Sequence, residues 1–334
     1  MRQACFALFG LVVSLALPVG GRAGAADGIT LIVGGAEKII YLPAVLADRL
    51  GYFKEQGLAV TVVSAPVGVE AEDELLTGAA DGVVGFYDHT IELQAKGKFT
   101  ECVVQMGLAP GEVELVSRRR AAGLLAGGPP QGLTIGVTAL GSSTVVLMRY
   151  LAQKAGLPAR SVTILPVGGS DQFVAAMRAG WIDLGMTTEP AASRLLKSGD
   201  AEIVADIRTP EGAIKALGGL YPAACVYMPS AWVESHRGQV KKLVNAIVKS
   251  LTYIGAHSAE EIADQVPEQF LAGDRQTYVQ ALSIVKKGFS SDGMMPAEGP
   301  GLVLSVLEAV SPGLRDRKVD LSRTFTNQFV GSAR

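Results

Sequence analysis

The order of secondary-structure signals between residues 29 and 86 recurs between residues 133 and 186, and this duplication constrains the fold more than any other feature. Short apolar runs of strand length alternate with helical patterns in both stretches, the signature of parallel βαβαβ units. The first unit reads as strands 29–33, 59–64 and 82–86, with helices 44–56 and 69–79 between them. The second reads as strands 133–138, 162–166 and 182–186, with helices 143–155 and 171–179. Gly78 and Asp81 at one third strand match Gly180 and Asp183 at the other, at an offset of 102 positions; the opening strands are offset by 104. So long a unit, present twice, specifies two similar α/β domains and no solenoid.

The corner at residues 132–156 shows what such units offer a ligand. A buried strand enters a glycine-bearing turn and then a helix capped by Ser142 or Ser143, with Lys154, Gly156 and Pro158 marking its end. The N–H groups and hydroxyls of Ser142, Ser143 and Thr144 gather at the positive end of the helix dipole, where a negative group is favoured. The same features also describe an ordinary capped βα turn. Open parallel sheets bind ligands beyond the carboxyl ends of their strands. Those ends fall at 34–41, 65–68 and 87–90 in the first unit and at 139–144, 167–170 and 187–190 in the second. Two such faces opposed across a cleft would form one pocket.

Between the units, two apolar runs within 101–118 flank Pro110-Gly111, and 123–130 is a glycine- and proline-rich connection. Strands are expected again at 203–207 and 223–228. The segments 112–118 and 223–228 are expected to cross between the domains side by side as a two-strand hinge. This places lobe I at 26–116 plus 223–334 and lobe II at 117–222. The tail is helical in pattern (238–256, 259–265, 274–287 and 300–310) and is expected to pack back on the first domain.

A hydrophobic content of 49% against 19% charged residues in 334 allows cores for both domains. Residues 1–25 differ in kind: Arg2, an apolar run over 4–19, then small residues ending Ala23-Gly24-Ala25. That pattern is a secretory signal, and the run is shorter than the roughly 20 residues that span a bilayer. The mature chain is therefore expected in the periplasm. Of 30 Lys and Arg residues, Arg2 and Arg22 lie in this leader, leaving 28 against 32 acidic residues. Bulk charge thus excludes a nucleic-acid binder. Cys102 and Cys225 remain after processing; they either pair in an oxidising compartment or stand as two buried thiols.

No catalytic set is visible. The histidines are His89, His236 and His257; nucleophile-elbow, Walker, dinucleotide and metal-ligand spacings are all missing. No cofactor or metal is expected, and the pattern points to binding without reaction. Asp88 and His89 follow the third strand of unit one, and Glu189 holds the equivalent place in unit two. Each can accept a hydrogen bond from a ligand, while Asp88 equally suits a helix N-cap. Tyr41, Phe86, Tyr87 and Tyr221 either stack on a ligand or belong to the core.

Tyr41-x-Pro43, Ala47, Gly51-Tyr52-Phe53 and Gly57, the Gly78…Asp81…Gly85 strand, and Gly141-Ser142-Ser143-Thr144 before a helix ending Lys154-Ala155-Gly156-Leu157 are found together. In this combination the chain resembles the NMT1-like substrate-binding proteins of nitrate, sulfonate, taurine and thiamine-precursor ABC transporters. The resemblance implies a type II periplasmic-binding-protein fold, two doubly wound lobes that close on one small molecule and dock, as a monomer, on a membrane permease. It places pocket residues at Gly35, Tyr41, Tyr87, Asp88, His89, Ser142, Ser143, Thr144 and Glu189. Some relatives resemble a yeast-type pyrimidine synthase, but its cysteine-rich iron-site motif is missing here. A sensor presenting its closed state to a receptor fits the same lobes, and an enzyme on this fold would have to use His89 with Asp88 or Glu189. No paired arginines stand in the predicted loops to clamp a sulfonate or nitrate. Glu189 and His89 facing a serine-capped helix suit a ligand with both an acceptor-rich end and a donor, such as an aminosulfonate or a pyrimidine.

Overall fold

The structure, a computed structural model, describes residues 28–127, 132–156 and 162–331. The leader 1–25, the end of the connection 123–130 and Pro158 lie wholly or partly outside those residues. Two five-stranded mixed sheets form, and in both the strand order follows one plan. The first sheet comprises β1 (Gly28–Gly34), β2 (Ala59–Ala65), β3 (Gly82–Phe86), β4 (Thr100–Gln105) and β10 (Ala224–Pro229), in the order β2-β1-β3-β10-β4. The second comprises β5 (Glu112–Ser117), β6 (Leu133–Val137), β7 (Val162–Pro166), β8 (Leu184–Thr188) and β9 (Ala201–Ile207), in the order β7-β6-β8-β5-β9. The βαβαβ strands pair in parallel, and one antiparallel strand closes onto each set: β10 against β3, and β5 against β8.

The duplicated motif has a physical cause. Gly78 and Gly180 are left-handed C-caps (φ 78° and 77°), a conformation that favours glycine, and each turns its helix back toward the sheet. Three residues later Asp81 exchanges two bonds with Thr30: its N–H donates to the Thr30 carbonyl, and its carboxylate accepts the Thr30 N–H at 2.8 Å. Asp183 does the same to Thr134, accepting its N–H at 3.1 Å. Each aspartate therefore pins a third strand to the first in its unit. Asp183→Ala should lower stability by about 1–3 kcal/mol, the cost of a backbone N–H left without its partner. The Arg120 contact at 3.1 Å, half-exposed, adds little to this. Chemical denaturation measures it, and a change below a few tenths of a kcal/mol would refute the pinning role.

Several expectations are corrected. Segments 112–118 and 223–228 are not a paired hinge: β5 and β10 are central strands of different sheets. A lobe boundary after 116 would leave β5 with the first lobe, whereas its ladders run to β8 and β9. The chain crosses just before each of these strands. Ala223 N–H donates to Gly107 O and Gly107 N–H to Ala224 O, so the two crossings do run side by side. The expected helix 44–56 is broken into Leu42–Arg49 and Tyr52–Glu55 by Gly51 at φ 74°. From Ser230 the chain is helical, apart from turns and isolated bridges. Helix Arg237–Ala256 packs on Leu42–Arg49 as expected, but Arg275–Val285 reaches Ala191–Lys197 and Gly299–Val310 reaches Ser143–Lys154, so the tail also touches the second unit. Cys102 and Cys225 are buried free thiols.

Candidate functional site

The carboxyl ends of β1, β3, β6 and β8 converge on a recess. From the first sheet's side come Lys38, Ile40 and Tyr41 after β1, Gly68 after β2, and Phe86 and His89 around the end of β3. Thr138, Ser142, Ser143 and Thr144 after β6 face them, with Thr188 at the end of β8 and Glu112 at the start of β5. Because β5 runs antiparallel to β8, Glu112 sits directly opposite Thr188 and enters the same rim. The two sides are also tied directly. Ser143 Oγ donates to Asp88 Oδ1 at 2.9 Å, Ser170 Oγ to Glu37 Oε1 at 2.7 Å, and Ile39 N–H to the Glu189 carbonyl at 3.1 Å.

Of the residues expected at the site, Tyr41, His89, Ser142, Ser143 and Thr144 line this recess. Tyr41 meets Phe86 edge to face, with centroids 6.5 Å apart. Ser142 does occupy the N-cap position, with extended φ/ψ, but its hydroxyl does not cap the helix. It donates to Ala139 O at 2.7 Å and joins Thr138 and Thr144 in a hydroxyl triad at 2.5–3.0 Å. The hydroxyls expected to face an anion are thus bonded among themselves, and that of Ser143 goes to Asp88.

Asp88 begins the helix Asp88–Ala95 without capping it, and Tyr87 is the N-cap. It stands behind Ser143, with Oδ2 buried and unpartnered, and burial raises its pKa against the pull of His89. Gly35, Tyr87, Glu189 and Tyr221 do not line the recess. Gly35 has φ 102° and shapes the turn over Lys38. The Tyr87 hydroxyl turns to Thr324 at 2.5 Å. Tyr221 is fully buried, its hydroxyl without a partner. Glu189 is fully buried and engaged: Arg208 Nη1 donates to it at 2.5 Å, and Ser193 N–H and Oγ at 2.8 and 2.9 Å. The Arg208 guanidinium in turn grips Asp206.

His89 has an unusual environment. Its Nδ1 lies 3.1 Å from Glu72 and Nε2 4.0 Å from Asp88. Burial alone would lower its pKa, but the Glu72 hydrogen bond and the two carboxylates prevail and raise it to about 9. Across the recess, burial and the neighbouring Asp88 push Glu112 well above the usual carboxylate range, with Lys38 pulling the other way. Lys38 itself is held below its normal value by burial and donates to Gly34 O at 2.6 Å.

Sequence reasoning missed Lys38, Glu112, Thr138 and Thr188. Lys38 lies in the loop 34–41 at a strand end, and its proximity to Gly35 is the available signal. Glu112 and Glu114 alternate with Val113 and Leu115, which in an edge strand would mark a solvent face; β5 lies between β8 and β9, so both faces are covered.

The architecture agrees with that of known proteins. A protein of solved structure from Bordetella bronchiseptica RB50 is 37% identical, covering 91% of this chain and 95% of its own, with a TM-score of 0.84. The alkanesulfonate-binding protein SsuA from Xanthomonas axonopodis pv. citri, bound to MOPS, is 17% identical, covering 91% and 99%, with a TM-score of 0.74. The periplasmic nitrate-binding protein NrtA from Synechocystis PCC 6803 is 13% identical, covering 91% and 87%, with a TM-score of 0.69. At these latter identities the likeness is one of fold, that of periplasmic binding proteins. The NMT1-like family description matches residues 29–266, and with that span the chain belongs to the NMT1-like family.

Proposed function

We propose that this chain is the exported solute-binding component of an ABC importer, which captures a small organic solute between its lobes and delivers it, as a monomer, to a permease in the inner membrane. The observation that carries this reading is the recess itself, walled by strand ends from both sheets and bridged by Ser143–Asp88 and Ser170–Glu37. A solute seated there contacts both lobes at once, so it binds the closed arrangement better than the open one and shifts the population toward it. Residues 1–25 act as the export signal in this reading. The lobes bind without reaction, and Glu72, Asp88 and His89 serve as a fixed charge cluster.

The test is a thermal-shift screen of residues 26–334 against sulfonates, nitrate, taurine, amino-pyrimidines and aromatic acids. A true ligand at 100 times its dissociation constant should add about 2.7 kcal/mol, a rise of a few degrees. Saturable stabilisation by one chemical class, with the compound recovered unchanged, is the expected outcome. Recovery of a chemically altered compound would overturn binding without reaction, and a response from no compound would count against solute capture.

A further inference from the structure

Glu112 is the feature of the recess that the fold does not explain. It is 2% exposed, it lines the cavity, and its Oε2 is without a hydrogen-bond partner. Lys38 attracts it but forms no ion pair with it. Buried carboxylates in folded chains are paired or hydrogen-bonded, because desolvating an unpaired charge is costly. Elsewhere in this molecule that rule holds for Glu189, which is enclosed by Arg208 and Ser193. Near Glu112, Asp88 likewise leaves Oδ2 buried and bare. Of these two bare carboxyl oxygens, that of Glu112 lies on a residue lining the recess, while that of Asp88 stands behind Ser143 and acts on Glu112 through its charge.

The surrounding charges point the same way. Glu72, Asp88 and Glu112 face His89 and Lys38, and the His89 ring is already engaged by Glu72. Lys38 has its ammonium on the Gly34 carbonyl. The hydroxyls opposite are bonded to one another or to Asp88. A fully ionised oxoanion entering here would bring a further negative charge beside the bare Glu112 carboxyl, with the Asp88 carboxyl close behind.

We propose that Glu112 is the specificity-determining residue of the recess, and that the solute presents to it an ammonium, amidine or amino-heterocycle N–H, not an oxoanion alone. The proposal rests on the reading of the recess as the solute site. Thr188 and the Lys38 N–H groups not spent on the Gly34 carbonyl stand beside Glu112 to hold the solute's acceptor atoms, so a compact molecule bearing both kinds of group is the best fit.

The experiment uses matched probes that differ in the nitrogen group: taurine against ethanesulfonate, and benzamidine against benzoate. Each is titrated by thermal shift into the protein and into Glu112→Gln and Glu112→Asp. The nitrogen-bearing member of at least one pair should stabilise the wild-type protein. Glu112→Gln should weaken that binding by about tenfold to a hundredfold, the range of a charge-assisted hydrogen bond, and Glu112→Asp should retain part of it. A second readout needs no ligand. Replacing an unpartnered buried carboxylate by its neutral isostere should raise the melting temperature of the empty protein at pH 8, whereas loss of a structural group would lower it. A lower melting temperature for Glu112→Gln, or equal binding by that variant, overturns the proposal. Stabilisation by ethanesulfonate or benzoate in preference to its partner overturns it while leaving solute capture intact.

Discussion

Glu189→Gln should cost about 3 kcal/mol of stability and leave solute affinity in the folded protein unchanged. Glu189 is fully buried and Arg208 nearly so, and the two meet at 2.5 Å. Removing one partner of a buried pair leaves the other as an uncompensated charge, an effect of about 3–5 kcal/mol. Two local facts set the size here. Arg208 keeps Asp206, which lowers the cost, while the bonds from Ser193 lose the charge that strengthens them. The interlobe bond from Ile39 ends on the Glu189 backbone carbonyl and survives the substitution. Denaturant unfolding and ligand titration of the same variant separate the outcomes. A selective loss of affinity with intact stability would instead restore Glu189 to the site.

The folded state should be more stable near pH 5 than near pH 9, and the fall above neutrality should come from His89. His89 is buried against Glu72, Asp88, Glu92 and Tyr227, and its pKa stands at about 9 in the fold against about 6.5 in an unfolded chain. The folded state therefore holds the proton more tightly. Its contribution is complete below about pH 6.5 and is lost as pH rises through 9, at most about 3 kcal/mol at 1.36 kcal/mol per unit. Glu92 and Glu114, both raised to about 7 by burial, act in the same sense at lower pH. They too bind protons more tightly folded than unfolded, so stability declines between their unfolded values and 7. Melting temperatures across pH 5–9 for the wild-type protein and His89→Gln measure both limbs. A flat wild-type profile from pH 7 to 9 would refute the ionised His89–Glu72 pair.

The interior of this chain follows rules that act over a few residues. Gly78 and Gly180 end their helices because glycine takes a positive φ without strain, and Asp81 and Asp183 tie adjacent strands in both units. The apolar runs of β1, β3, β6 and β8 specify parallel strands buried on both faces. From these local patterns the two-unit α/β plan, the strand ends that form the recess, and Tyr41, His89 and Ser142–Thr144 on its wall were all legible in the residues themselves.

Partnership was not legible, because it depends on which group lies nearest once two sheets face each other. Glu189 follows one strand and Glu112 begins another, and both are fully or almost fully buried. Arg208, 19 positions beyond Glu189, closes on the first, while among the described residues no cation reaches ion-pair distance of the second. The serine-rich helix start, which reads as an anion site, meets Asp88 from 55 positions away and donates to it. The sequence by itself determined where a ligand can enter, since strand ends and turns are set by local backbone chemistry. Only the tertiary structure decided which buried charges were already satisfied, because pairing across a cleft depends on distances between residues that the chain order keeps far apart.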